Sequence, residues 1–156
     1  MKKNAVFFAL ACVLFSVSIH GVNAQNYSYS AHQHLKRSMD YLINGDYHNA
    51  ISSSDLALKL DPNLVISYII RARAYYEIDE LDRAIIDCSH AIKLDGSSTT
   101  AYTLRGNAYG KKGDYIMAIS NWETALKIDH NNSEARTNLE LLYQLLKEEL
   151  LVTNAE

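Results

Sequence analysis

Residues 99–132 read TTAYTLRGNAYGKKGDYIMAISNWETALKIDHNN, and the chain has already said nearly the same thing twice. GDYIMAI at 113–119 is preceded by DELDRAI at 79–85 and by GDYHNAI at 45–51, each 34 residues apart. ALKID at 125–129 likewise follows AIKLD at 91–95 and ALKLD at 57–61. Self-similarity at one fixed period of this size marks an array of supersecondary units. Whole units fall at 31–64, 65–98 and 99–132. Several columns then hold one residue type in all three: Arg37/Arg71/Arg105, Tyr41/Tyr75/Tyr109, Ala50/Ala84/Ala118, Ile51/Ile85/Ile119, Ala57/Ala91/Ala125, Lys59/Lys93/Lys127 and Asp61/Asp95/Asp129.

Inside a unit, Tyr41, Ala50, Ile51, Ala57, Leu58 and Leu60 mark two apolar stripes separated by Asn44-Gly45-Asp46. That spacing predicts a helix, a tight turn and a second helix. The Ala columns sit where two helices must approach closely, since a larger substituent would hold the axes apart. Ser38, Ala72 and Gly106 form a matching small column on the first helix. A single hairpin cannot cover both of its apolar faces, so neighbouring units must stack. The expectation is an all-α solenoid of three helix-turn-helix repeats. A final stretch at 133–151, with Leu139, Leu142, Tyr143 and Leu146 at helical spacing, reads as a capping helix for the open end. Leu141, Leu145, Leu150 and Leu151 add apolar surface beyond one stripe, for further packing or for self-association. The polar run QNYSYS at 25–30 is expected to be a disordered linker.

These columns resemble the tetratricopeptide repeat, whose small, aromatic and Ala positions and closing Asp-Pro match Ser38, Tyr41, Ala50, Ala57 and Asp61-Pro62. Gly106, Tyr109, Ala118, Trp122 and Ala125 match equally well in the third unit. The resemblance covers 31–132. Gly96 and His130 replace the closing Pro in the later units, where Gly or an Asn-rich turn can still end a helix. Arg37, Arg71 and Arg105 stand where the family usually has Leu, as in an Arg-Gly subtype resembling Leu104-Arg105-Gly106-Asn107. A partly buried Arg needs a carboxylate, and Asp87 is the candidate for Arg71; Ser53 and Asn121 hold that place in the other units. A row of arginines reading an acidic ligand is the alternative.

Outside the array, Met1-Lys2-Lys3-Asn4 precedes a charge-free apolar run, AVFFALACVLFSVSI (5–19), and Val22-Asn23-Ala24 offers a cleavage site before Gln25. Residues 1–24 therefore read as a signal peptide, with periplasmic, cell-surface or secreted localisation. The run is short for an uncleaved membrane anchor. Its removal takes Lys2 and Lys3 and leaves 13 basic side chains against 18 acidic ones, a net charge of about −5. With no clustered basic face, nucleic acid is an improbable partner. Cys88 becomes the only thiol, so an internal disulfide is excluded, and its core register makes it a small buried hydrophobe. Asn26-Tyr27-Ser28 and Asn131-Asn132-Ser133 are glycosylation acceptors only in a eukaryotic host.

Catalysis has no residue set behind it. His32 and His34 face different sides of a helix, and His48, His90 and His130 are isolated in the repeat frame. No metal-ligand spacing, phosphate loop or nucleophile elbow occurs, so no metal and no cofactor are expected. Asp46, Glu80 and Asp114 fall at turns, where helix capping explains them. The chain is expected not to be an enzyme.

The family resemblance instead implies a concave groove lined by the first helices, which binds a peptide or amphipathic helix of a partner protein. By register the groove residues are Leu35 and Met39 in the first unit, Ile69, Arg73 and Tyr76 in the second, and Thr103, Asn107 and Lys111 in the third. His32, Leu42, Ile43, Ile66, Glu77, Thr100 and Gly110 accompany them. The series grades from apolar to polar, with Tyr76 as an aromatic anchor. Chaperone-tail-binding members hold a carboxylate with Lys, Asn and Arg at positions that are here Leu35, Met39, Ile70, Thr100 and Leu104, so that clamp is absent. The alternative function is a structural subunit of an envelope complex, or a scaffold assembling through the C-terminal helix.

Overall fold

A computed structural model of the chain describes residues 25–153, and the expected signal peptide lies outside them. Among the described residues there are seven helices and no strands. They are α1 (25–43), α2 (Tyr47–Leu60), α3 (Val65–Glu77), α4 (Leu81–Leu94), α5 (Thr99–Lys112), α6 (Tyr115–Ile128) and α7 (Ser133–Thr153). Residues 25–30 are not a linker but the opening turns of α1. QNYSYS contains neither Gly nor Pro, and extending an existing helix costs little once its nucleus is formed. His32 Nδ1 donates to the Ser28 carbonyl one turn back at 2.8 Å.

Each turn within a hairpin requires one residue with positive φ. Gly45 (+74°) and Gly113 (+84°) supply it without cost, whereas Asp79 adopts +67° in the middle unit. Asp46 and Asp114 then cap α2 and α6, their carboxylates accepting from the backbone N–H of Asn49 and Met117. Glu80, expected to do the same for α4, makes no such bond. Its longer side chain pairs with Arg83 at 2.9 Å instead. At the far ends, Asp61, Asp95 and Asp129 accept through Oδ1 from the N–H two residues on, at 2.9–3.0 Å. This turn chemistry recurs with or without Pro62, which is why the later units stop cleanly without a proline.

Consecutive helices pack from α2 to α7, and α3–α5 and α5–α7 also touch, so the first helices stand side by side. All six alanines of the two Ala columns are fully buried. Across the small column the packing is size-compensated. Ala72 meets Cys88, while Gly106 meets the indole of Trp122. A Cβ built on Gly106 would lie 2.6 Å from Trp122 Nε1, a distance no real contact tolerates. Burial and the neighbouring Asp87 carboxylate push the Cys88 thiol up to about 12.

The arginine column ties units together. Arg71 donates from Nε and Nη2 to the two oxygens of Asp87, each at 2.7 Å, and its Nη1 reaches Asp55 of the preceding hairpin. Arg105 repeats the pattern without charge, donating to Asn121 Oδ1 at 2.7 Å and to Ser89 Oγ at 3.0 Å. Burial alone would lower the Arg71 pKa; the bonds and charge of Asp87, then of Asp55, raise it above its ordinary value. Arg37, on α1, is exposed.

The last helix closes the stack by packing Ala135 and Leu142 against Ala118, Trp122 and Ala125. Carrying the repeat frame forward puts Tyr143 in the column of Tyr41, Tyr75 and Tyr109. Glu140, however, stands where Ser38, Ala72 and Gly106 allow a second helix to approach. The helix α7 is thus a first helix whose close-approach position is blocked.

Candidate functional site

On the side formed by α3, α5 and α7, a cavity of about 380 Å³ opens to solvent. The first of these supplies Arg73 and Tyr76, and α5 supplies Asn107, Gly110 and Lys111. Trp122 of α6 forms the floor, and Glu134, Asn138 and Leu141 of α7 complete the wall. Of the eight principal groove residues expected from the repeat register, Arg73, Tyr76, Asn107 and Lys111 therefore meet around one hollow, joined by Gly110 from the accompanying positions.

The other four do not line it. Leu35 is only 9% exposed and packs with Ala57 and Ile70 in the core, so it is a packing residue and not a groove residue. Thr103 is buried, and its hydroxyl accepts from Asn132 Nδ2 at 2.9 Å, fastening the turn that leads into α7. Met39, 44% exposed on α1, and the half-buried Ile69 on α3 stand away from the cavity.

Asn107 has a different role from the one expected. Its Oδ1 accepts from Trp122 Nε1 and from Asn138 Nδ2, and its Nδ2 donates to Glu134 Oε1, all at 2.8 Å. Because the indole N–H can only donate, the amide oxygen must face it, which fixes the orientation. With these partners made, Asn107 holds the cavity together more than it offers itself to a ligand. Lys111 lies over the Tyr76 ring at 5.0 Å and pairs with Asp79 at 2.8 Å, a bond that raises its pKa. Arg73 has looser company: its ion pair with Glu77 spans 3.9 Å.

The α7 residues were missed by sequence reasoning although the signal was present. Glu134 and Leu141 fall on the groove columns of Ile66 and Arg73 when the 34-residue frame is continued past 132. Trp122 comes from a second helix and reaches the groove only because Gly106 and Gly110 leave room for it.

Among the described residues, no group of three His, Cys, Asp or Glu is placed to hold a metal ion. No helix among them is long and apolar enough to cross a membrane.

Two family models, each described as tetratricopeptide repeat, match residues 35–64 and 99–132. No curated protein matches the chain. Among solved structures, it is similar to the second TPR of Spaghetti (RPAP3) bound to the HSP90 peptide SRMEEVD. The identity there is 30%, the TM-score 0.66, and coverage 69% of this chain and 98% of that one. The first TPR of Spaghetti, bound to the same peptide, gives 29% identity, a TM-score of 0.74 and coverage of 77% and 95%. The first TPR domain of human RPAP3 is 28% identical with a TM-score of 0.74, covering 78% of this chain and 95% of that one.

Proposed function

The chain belongs to the tetratricopeptide repeat family, and we propose that it is a non-enzymatic adaptor holding a peptide or helix of a partner protein in its concave groove. The observation that carries this reading is the cavity shared by α3, α5 and α7. There an aromatic face, an underused guanidinium and two amides converge on one solvent-open hollow, the mix of apolar body and sparse polar groups that recognition sites use. The similar Spaghetti domains take an HSP90 peptide, which supports a peptide ligand here. It does not carry over the same ligand. Leu35, Ile70 and Leu104, standing at three of the positions where tail-binding members grip a carboxylate, are buried in the core.

The adaptor acts outside the cytoplasm in this reading, since residues 1–24 have the charge and apolar pattern of a cleaved export signal. N-terminal sequencing of the protein from its source cell checks this; a chain beginning at Met1 sinks it. The groove is tested by affinity capture from that cell, comparing the unaltered chain with an Arg73→Glu, Tyr76→Ala double variant. The double variant should lose a protein that the unaltered chain retains. Recovery of the same proteins by both baits would place the site elsewhere.

A second reading is favoured by the exposed apolar side chains of Leu141, Tyr143 and Leu145 on α7: a subunit that assembles through its C-terminal helix. Sedimentation separates the two, because a monomer at micromolar concentration leaves only the adaptor.

A further inference from the structure

Leu42, Tyr76 and Gly110 occupy one column of the repeat frame, and only the third of these carries no side chain. A Cβ on Gly110 would lie 3.1 Å from Trp122 Cη2 and 3.5 Å from Cζ2, so the hollow reaches down to the benzo edge of the indole. Tyr76 stands on one side and Leu141 on the other. Gly110 lies inside α5 and is not among the positive-φ glycines, so the backbone does not require glycine there. In such a place glycine is disfavoured relative to alanine. Nor does the floor demand it as strictly as at Gly106. The 3.1 Å contact is relieved by a shift of a few tenths of an ångström, whereas 2.6 Å is not. What glycine provides at 110 is room for the indole, with no side chain of its own between that floor and the hollow lined by Arg73, Tyr76 and Leu141.

Resting on the adaptor reading, we infer that this hollow receives one large apolar side chain of the bound segment, of the size of a leucine or tyrosine. A carboxylate next to that side chain meets Arg73. The apolar part follows from the lining: Trp122 takes the place beside Gly110, and its edge, with Tyr76 and Leu141, faces the hollow. The walls match, being an indole edge, a phenol ring and a leucine. The charge follows from pairing. Lys111 is held by Asp79 at 2.8 Å, while the 3.9 Å separation of Arg73 from Glu77 leaves its donors open at the rim. A cavity of about 380 Å³ takes such a side chain and excludes a folded element.

Trp122 is the only tryptophan, so its emission reports on the pocket floor alone. The experiment pans a phage-displayed random peptide library on the full chain and resynthesises the enriched peptides without tryptophan. The inference expects a shared large apolar residue beside Asp or Glu, and a shift in Trp122 emission on binding. Filling the hollow with Gly110→Leu should weaken binding about tenfold or more, and Arg73→Gln about threefold, as losses at a central anchor do. Gly110→Ala, which keeps a helix former and fills less, should weaken it by an intermediate factor and serves if Gly110→Leu does not fold. Peptides that bind with unchanged affinity to the Gly110 variants and leave Trp122 emission unmoved overturn the pocket but spare the groove. A library from which nothing binds overturns the adaptor reading together with it.

Discussion

The guanidinium of Arg71 spans both oxygens of the Asp87 carboxylate, a two-bonded fork whose acidic member is only 3% exposed. Such a pair is tolerated inside a protein because each charge cancels the desolvation of the other.

Removing the cation should therefore cost far more than removing its equivalents. Arg71→Ala leaves Asp87 buried and uncompensated, a loss of about 3 kcal/mol or more. Arg105→Ala leaves two neutral acceptors, Asn121 and Ser89, and costs about 1 kcal/mol. The exposed Arg37→Ala should cost least. Urea melts of the three variants give the order, and equal midpoints would refute it.

Gly106→Ala sets overpacking against helix propensity. The new methyl gains about 1 kcal/mol of propensity but must displace the Trp122 indole it meets at 2.6 Å. Overpacking of this kind costs about 1–3 kcal/mol, so net destabilisation with a disturbed Trp122 emission spectrum is expected. A melting temperature equal to or above that of the unaltered chain would contradict the packing account.

At Asp79 the expectation is reversed. Asp79→Gly relieves a left-handed backbone in a residue with a Cβ, worth about 1 kcal/mol. It sacrifices an exposed ion pair with Lys111 that is worth little. The variant should melt higher, and a lower melting temperature would mean that the Asp79–Lys111 contact matters more than its exposure implies.

Cys88 makes a pH prediction. The folded thiol titrates at about 12, against 9.0 for the free group. The folded chain thus holds its proton where the unfolded chain has lost it. The stability that this represents is intact below pH 9 and is lost as pH rises from about 9 towards 12. Cys88→Ala should flatten the alkaline decline in that window. Iodoacetamide, which needs thiolate, should leave Cys88 of the folded chain unlabelled at pH 8 and label it in denaturant.

Asn107→Ala removes the acceptor of Trp122 Nε1 and the donor to Glu134. The unmet groups cost about 1–3 kcal/mol. The variant should bring water to the indole, read as a red-shifted emission. An unshifted spectrum would show that the network does not shape the cavity floor.

Much of this was legible beforehand because a 34-residue repeat supplies three independent copies of each contact. The Ala columns, the Asn44-Gly45-Asp46 turn and the Arg71–Asp87 pairing all follow from comparing units with one another. What stayed hidden lay between units or beyond the frame. Asp55 pairs with an arginine of the next hairpin, a contact set by stacking geometry that no single unit displays. Leu35 looked like a groove residue because register gives the direction of a side chain but not how deeply its neighbours bury it. Residues 25–30 looked unstructured because polar composition says little about a segment that extends an existing helix. Glu134 and Asn138 were read as parts of a cap, although a cap that continues the frame also continues the groove.

The matched sizes of Ala72 with Cys88 and of Gly106 with Trp122 constrain how the gene can change. An unequal crossover inside a unit would marry the first helix of one to the second helix of another. Ala72 facing Trp122 would clash, and Gly106 facing Cys88 would leave a void. Exchanges that break between units keep both halves together, so lineages of this chain should gain or lose whole hairpins and seldom mosaic ones.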